Sequence, residues 1–149
     1  MVGVPKNLHR VFVTREVFAF LADGTNDPKF SPRVQEISKT TDGPIAVGTV
    51  FESKVKDAGM TTRRKFEVTE LQAPTKIRWA ERSKNMITVP TGGYDLEKVS
   101  DTQTKVTIHN TLEGHGFGKV IVGFAVKAAI KDAPAFAQRI KSAAEAAVV

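Results

Sequence analysis

The chain has 149 residues, a formal charge of +6 and no cysteine. That length holds one domain with a core that needs no staples, and the lack of cysteine excludes disulfides and thiolate metal sites and fits a reducing compartment. The start, MVGVPKNLHR, lacks a signal peptide's apolar run, and no apolar stretch approaches the roughly 20 residues that cross a bilayer, so a soluble cytoplasmic protein without a transmembrane segment is expected.

In chain order, a strand over residues 8–13 leads into a helix that Thr14 can cap, with Val17, Phe18 and Leu21 on its apolar face. Asp23-Gly24-Thr25-Asn26-Asp27-Pro28 breaks the chain, and a short turn carries Phe30 and Pro32. Strands then follow over 34–39, 49–56, 62–71, 76–82, 86–89 continuing at 94–99, and 105–112. The turn signals between them are Asp42-Gly43-Pro44, Ala73-Pro74, Gly92-Gly93 and Ser100-Asp101. Strands at such short intervals make an antiparallel meander. A turn near Ala73 sets Val68 opposite Ile77, Phe66 opposite Trp79 and Arg64 opposite Glu81. A turn near Asp101 sets Leu96 opposite Val106 and Tyr94 opposite Ile108. Both registers gather large apolar residues on one face, which a one-residue slip would undo. The other face carries Arg63, Lys65, Glu67, Asp95, Glu97, Thr107 and His109, which suits water.

The last quarter, from Gly114, is apolar and alanine-rich. At about 100° per residue, Val126, Ile130, Ala133, Ala137, Ile140, Ala144 and Ala147 form one stripe. Lys127, Lys131, Gln138, Lys141 and Glu145 fall on the other side. This is an amphipathic helix lying on the apolar face of the sheet. Pro134 kinks it or restarts it with Asp132 as a cap. Val120, Ile121 and Phe124 lie on the lysine side. They can cap a cavity mouth, form a homodimer contact or sit under a neighbouring loop.

The stretches VTREVFAFLADGTNDPKFSP, GPIAVGT, LQAPTKIRW and YDLEKVSDTQTKVTI, in that order, resemble the polyketide cyclase/dehydrase branch of the START-like (SRPBCC, Bet v 1-like) superfamily. The resemblance covers nearly the whole chain, with Phe18 and Phe30 where the family often has tryptophan. It implies one domain over 1–149 with an α+β helix-grip fold. In that fold a curved antiparallel sheet wraps around a long carboxy-terminal helix, with two short helices after the first strand. A largely apolar cavity is implied between sheet and helix. It implies no single activity, since members bind, transfer, cyclise or scaffold.

The candidate chemistry lies on the covered face. Alternation turns Phe51, Ser53, Val55, Arg64, Phe66, Val68, Ile77, Trp79, Glu81, Tyr94, Leu96, Val106, Ile108, Asn110 and Leu112 towards the last helix. Most are apolar, and Arg64, Glu81, Tyr94 and Asn110 are the exceptions. A few polar groups in an apolar cleft orient a ligand that burial holds. The expected ligand site is therefore Phe51, Arg64, Phe66, Trp79, Glu81, Tyr94 and Asn110, with Arg64 its main positive charge. Arg64 and Glu81 can instead close on each other as an ion pair.

Other sites are not expected. The loop Gly114-His115-Gly116-Phe117-Gly118-Lys119 fails both phosphate fingerprints, so its glycines serve a reversal of direction. His9, His109 and His115 have no metal spacing, and no cofactor is expected. The leading function is binding of a small hydrophobic molecule, aromatic or anionic in character. The alternatives are a cyclase/dehydrase-type enzyme using Tyr94 and Arg64, and a protein- or RNA-interaction module using the basic surface. DNA is not an expected partner, because the Lys and Arg residues are scattered.

Overall fold

The computed structural model describes residues 2–3, 14–57 and 59–148, and of Val2, Gly3, Asp57 and Val148 the backbone alone. The strand expected over 8–13 lies outside the described residues.

The elements are β1 (Val2–Gly3), α1 (Thr14–Ala22), a 3-10 turn (Gly24–Lys29), β2 (Val34–Lys39), β3 (Val50–Asp57), β4 (Met60–Gln72), β5 (Lys76–Glu81), β6 (Ile87–Ser100), β7 (Gln103–Gly114) and α2 (Gly118–Val148). The strands form one sheet in the order β1-β7-β6-β5-β4-β3-β2, antiparallel throughout. With α2 following the sheet, this is the α+β helix-grip arrangement. Of the two short helices expected, the second is the 3-10 turn. Thr14 opens α1, and its hydroxyl lies 3.2 Å from that of Thr104, tying the helix to β7. Bulges in β2, β4 and β6 interrupt the register and bend the strands. Pro90 lies inside the irregular stretch of β6, where its missing N–H breaks no ladder bond.

The core forms where α1 and the carboxy-terminal part of α2 meet the sheet. Val17, Phe18, Phe20 and Leu21 pack with Phe30, Ile77, Tyr94, Leu96, Val106, Ile140 and Ala144. Outside, cross-strand ion pairs line the wet face: Arg78–Asp95 at 2.7 Å, Arg82–Glu67 at 3.0 Å and Lys65–Glu52 at 3.4 Å. His109 is exposed there, 3.6 Å from Asp95, as its alternation with Ile108 predicts.

Two expectations need correction. The hairpin at Asp101 pairs as expected, Leu96 with Val106 and Tyr94 with Ile108. In the hairpin at Ala73, however, Val68 faces Trp79, Phe66 faces Glu81 and Leu71 faces Ile77. Phe66 and Trp79 are therefore not direct cross-strand partners. Gln72 pairs with Lys76, which centres the turn on Pro74 and puts the pairing three positions out. The extra residue of β4 between Val68 and Glu70 turns Leu71 to the core side and takes one position back, leaving a shift of two. The facing parity survives.

The second correction concerns α2. It runs through Pro134 as one helix, with no restart at Asp132, whose carboxylate instead accepts from Arg139 Nη2 at 2.8 Å. Ile140 and Ala144 are buried as expected, but Val126 and Ile130 face solvent. Val126 stands at the same helical angle as buried Ala144, five turns on, so the two differ in cover and not in phase. The inward set also includes Phe136, which the expected stripe omits. It packs edge-on against Phe30, with ring centroids 5.9 Å apart, while Arg139 Nε donates to the Phe30 carbonyl at 3.0 Å. With Phe136 inward, Ile130, six residues earlier, points roughly 120° from it.

Candidate ligand site on the concave face

Glu81 ends β5 with its side chain wholly out of water. Four donors hold it. Arg64 Nη1 reaches both oxygens, at 3.0 and 3.2 Å. Ser83 Oγ and Asn85 Nδ2 donate to Oε2 at 2.6 and 2.9 Å, and the Val89 N–H donates to Oε1 at 2.9 Å. Arg64 Nη1 also donates to the Ile87 carbonyl at 3.0 Å. Arg64 sits one pair along from Phe66, so the ion pair is diagonal across β4 and β5. Arg64 and Glu81 thus do close on each other. The network fastens the 83–89 segment, which leads into β6, to the end of β5.

Arg64 also lines a cleft of about 320 Å³ over β2, β3 and β4. Ile37 and Ser53 share that lining with it, and Lys54, Arg63 and Lys65 stand at its rim. The cleft is at the far side of the sheet from α2, which packs on β7, β6, β1 and α1.

Further along the same face stand Trp79 and Tyr94, edge to face with ring centroids 5.1 Å apart. Tyr94 is buried, and Trp79 is half-buried. Gly92 lies between Trp79 on β5 and Asn110 on β7, paired with both. A Cβ on Gly92 would collide with Trp79 Nε1 and with Asn110 Oδ1. The room left by the missing side chain is therefore taken up by the indole N–H edge and the carboxamide, which come together over Gly92. No hydrogen bond to the indole N–H is found among the described residues. Phe66 is half-buried on the same wall. Phe51 is buried beneath the 3-10 turn, in contact with the place a Gly24 Cβ would take. The seven expected residues thus divide into a closed ion pair, an aromatic wall with a polar pair, and one residue pinned under a turn.

Asp27 was not expected. It lies in the 3-10 turn, where Asp23 accepts from the Thr25 N–H and hydroxyl, 3.0 and 2.6 Å, and so shapes the turn. The Asp27 backbone carbonyl accepts from Phe30 and Ser31. Its carboxyl accepts no hydrogen bond among the described residues. Part of Asp27 reaches solvent, but its carboxyl is densely surrounded. That burial, helped by the negative charge of Asp23, pushes its pKa up to about 7. Burial, and then the charge of Asp27, raises the Tyr94 phenol well above its usual range. The coupling places Asp27 and Tyr94 near each other. Nothing in the sequence separates Asp27 from Asp23, since each reads as a turn residue.

The glycine loop before α2 makes a turn. Gly116 has φ +56°, and Gly118 is pressed against the Met86 carbonyl, where no Cβ fits. The N–H groups of Gly118, Lys119 and Val120 bond to carbonyls of the loop itself. Among the described residues no cluster of three or more His, Asp or Glu has metal-binding geometry, and no helix is long and apolar enough to cross a membrane.

No curated protein matches the chain. Solved structures do, at low identity. A protein from Thermus thermophilus aligns with TM-score 0.69 at 12% identity, over 99% of this chain and 94% of its own. The Zhui aromatase/cyclase from Streptomyces sp. R1128 aligns with TM-score 0.71 at 14% identity, over 91% and 88%. The major latex-like protein 151 of Panax ginseng aligns with TM-score 0.57 at 11% identity, over 99% and 93%. At these identities the likeness is one of fold. The profile of the family described as polyketide cyclase / dehydrase and lipid transport matches residues 14–145, from the first residue of α1 to the last turns of α2, and the chain belongs to that family.

Proposed function

We propose that the protein binds a small, mainly apolar ligand against the concave face of its sheet, with the aromatic wall of Phe66, Trp79 and Tyr94 as the contact surface. The observation that carries this is the pair of polar groups brought together over Gly92: an indole donor without a described partner and an exposed carboxamide stand side by side on an otherwise apolar wall. Apolar area supplies affinity, and a few polar groups fix orientation. A planar ligand with a carbonyl or phenol oxygen at one edge suits that arrangement. The family described as polyketide cyclase / dehydrase and lipid transport is consistent with such cargo. Arg64 keeps its Nε and Nη2 donors beside the cleft and can take an anionic substituent.

Trp79 is the only tryptophan, so its fluorescence is a clean reporter. Titration with neutral and anionic aromatic compounds is expected to change its emission saturably. Asn110→Ala weakens that response for compounds with an edge oxygen and leaves purely hydrocarbon compounds unchanged. A Trp79 signal indifferent to the whole panel removes the site from this face.

A cyclase/dehydrase-type reaction is the second reading, favoured by one observation. A carboxyl with a pKa near 7 beside an apolar wall is half protonated at neutral pH, the condition for a general acid. Asp27 would protonate the hydroxyl as its C–O bond breaks and water departs, while solvent water takes the proton from the neighbouring carbon and the C–H electron pair forms the double bond. Under this reading a linear polyketide is dehydrated by the native protein and not by Asp27→Asn, while both bind it equally. Equal turnover by the two sinks it.

A further inference from the structure

α2 leaves its amino-terminal half turned away from the sheet, and that half is apolar on the wrong side for a core. Phe117, Val120, Phe124 and Ile130 are each about two-thirds exposed or more: 67%, 67%, 72% and 68%. Val120, Phe124, Lys127 and Lys131 follow at intervals of four, three and four, so they share one face of the helix. That face is open, for a Cβ built on Gly123 meets nothing within 4 Å. The sheltered side of the same turns carries Gly118, Ile121, Val122 and Ala125 instead. The carboxy-terminal half carries exposed Gln138 and Ser142 on the outward face, and the exposed large apolar residues of α2 end at Ile130.

The charge of this segment is one-sided. Between Glu113 and Asp132 there is no Asp or Glu, while Lys119, Lys127 and Lys131 are exposed and make no ion pair among the described residues. Met86, in the loop that abuts Gly118, is also exposed, and Lys84 lies two residues before it.

We propose that this half of α2, with Phe117, Val120 and Phe124 inserted and the three lysines at headgroup level, docks on an anionic phospholipid surface. Bulky apolar residues enter the acyl boundary, and lysines interleaved with them extend their stems to reach lipid phosphates. A second copy of the chain is a poorer occupant. In a two-fold contact centred on this face, Lys127 and Lys131 meet their own like charges with no carboxylate to offset them. A nucleic acid uses the lysines and leaves Phe124 and Ile130 in water. This surface points away from the ligand-binding face and stands whether or not a ligand binds there.

The test is co-sedimentation of the full chain with vesicles of phosphatidylcholine alone, and with phosphatidylglycerol as roughly a third of the lipid. The expected result is binding to the anionic vesicles only, released by high salt. Joint replacement of Lys119, Lys127 and Lys131 by Gln lowers the partition coefficient by more than tenfold, at roughly fivefold per lysine. Phe124→Ser lowers it by a comparable factor with no loss of melting temperature, since the ring touches no core. Equal binding to both vesicle types, no binding to either, or a triple lysine variant that binds like the native protein overturns the proposal. So does a stable dimer by light scattering that Phe124→Ser dissolves, because the face is then occupied by a second copy.

Discussion

Glu81 and Asp27 are two carboxylates withdrawn from water at opposite ends of one sheet face, and the fold treats them differently. Glu81 has four donors around it, an arginine among them, and holds a loop to a strand end. Asp27 has no described donor and a carboxylate behind it in Asp23, so it holds its proton towards neutral pH. A buried charge that is fully hydrogen-bonded is a structural fastening. A buried carboxyl without donors is costly to ionise and is available to something that is not part of the chain. The side that looked like a ligand's anion site in the sequence is the fastened one.

Breaking the fastening gives the largest expected effect. Glu81→Ala strands Arg64 and leaves Ser83, Asn85 and the Val89 N–H without their acceptor. Removing one member of a buried pair costs about 3–5 kcal/mol, read as a lowered urea midpoint with an unchanged slope. Arg64→Met is milder, because Glu81 keeps three donors and Arg64 is partly exposed. About 1–3 kcal/mol is expected for a buried acceptor that loses one partner. If Arg64→Met leaves the melting temperature untouched while abolishing binding of anionic aromatics, Arg64 serves the ligand, and the contrast between the two ends disappears.

The second effect runs in the opposite direction. The folded pKa of Asp27 lies at about 7, above its ordinary 3.8. Between those values the folded state holds a proton that the unfolded state has lost, so stability falls as pH rises from about 4 and levels off above about 7. Below pH 4 both states are protonated and the burden vanishes. Asp27→Asn is therefore expected to stabilise the protein above pH 7, by less than the about 4 kcal/mol that the full rise converts to, because the residue is partly exposed to solvent. It should also flatten the decline between pH 4 and 7. Thermal melts across that range check it, and a decline of equal slope in the variant assigns the titration to another group.

The sequence carried the architecture well and the site unevenly. Strand order, the parity of the sheet faces and the Asp101 hairpin follow from period-two alternation, which a whole strand repeats and a single residue cannot mislead. The Ala73 hairpin failed because the turn is centred on Pro74 and because the bulge at Val68-Thr69-Glu70, which no residue there marks, resets the alternation between Val68 and Leu71. The exposure of Val126 and Ile130 was missed because periodicity gives the phase of a helix and not how far along it the cover reaches. Phe136 was missed because its contact with Phe30 is encoded by no periodicity. The Arg64–Glu81 pair was legible as a pair because the diagonal and direct registers both bring the two within reach. Asp27 was not, since the property that distinguishes it is the surroundings contributed by segments far away in sequence.

The smallest expected effect tests what lies between the two ends. Gly92 has no need of a special backbone angle, and its use is the room it leaves to the carboxamide and the indole edge. In Gly92→Ala the new methyl meets Asn110 Oδ1, the free end of an exposed side chain that can swing into solvent at little cost. It also meets Trp79 Nε1, part of a rigid indole packed on Tyr94, which must tilt. Overpacking that one ring can relieve costs about 1 kcal/mol, at the low end of such insertions. The fold is thus expected to survive with a melting temperature lower by a few degrees. Ligand binding is not expected to survive, because the methyl displaces the carboxamide and turns the indole N–H. Small loss of stability with large loss of the Trp79 fluorescence response is the signature of a polar pair kept for a ligand. Loss of stability alone, with the titration unchanged, makes Gly92 a packing residue and moves the polar contact of the site elsewhere on the wall.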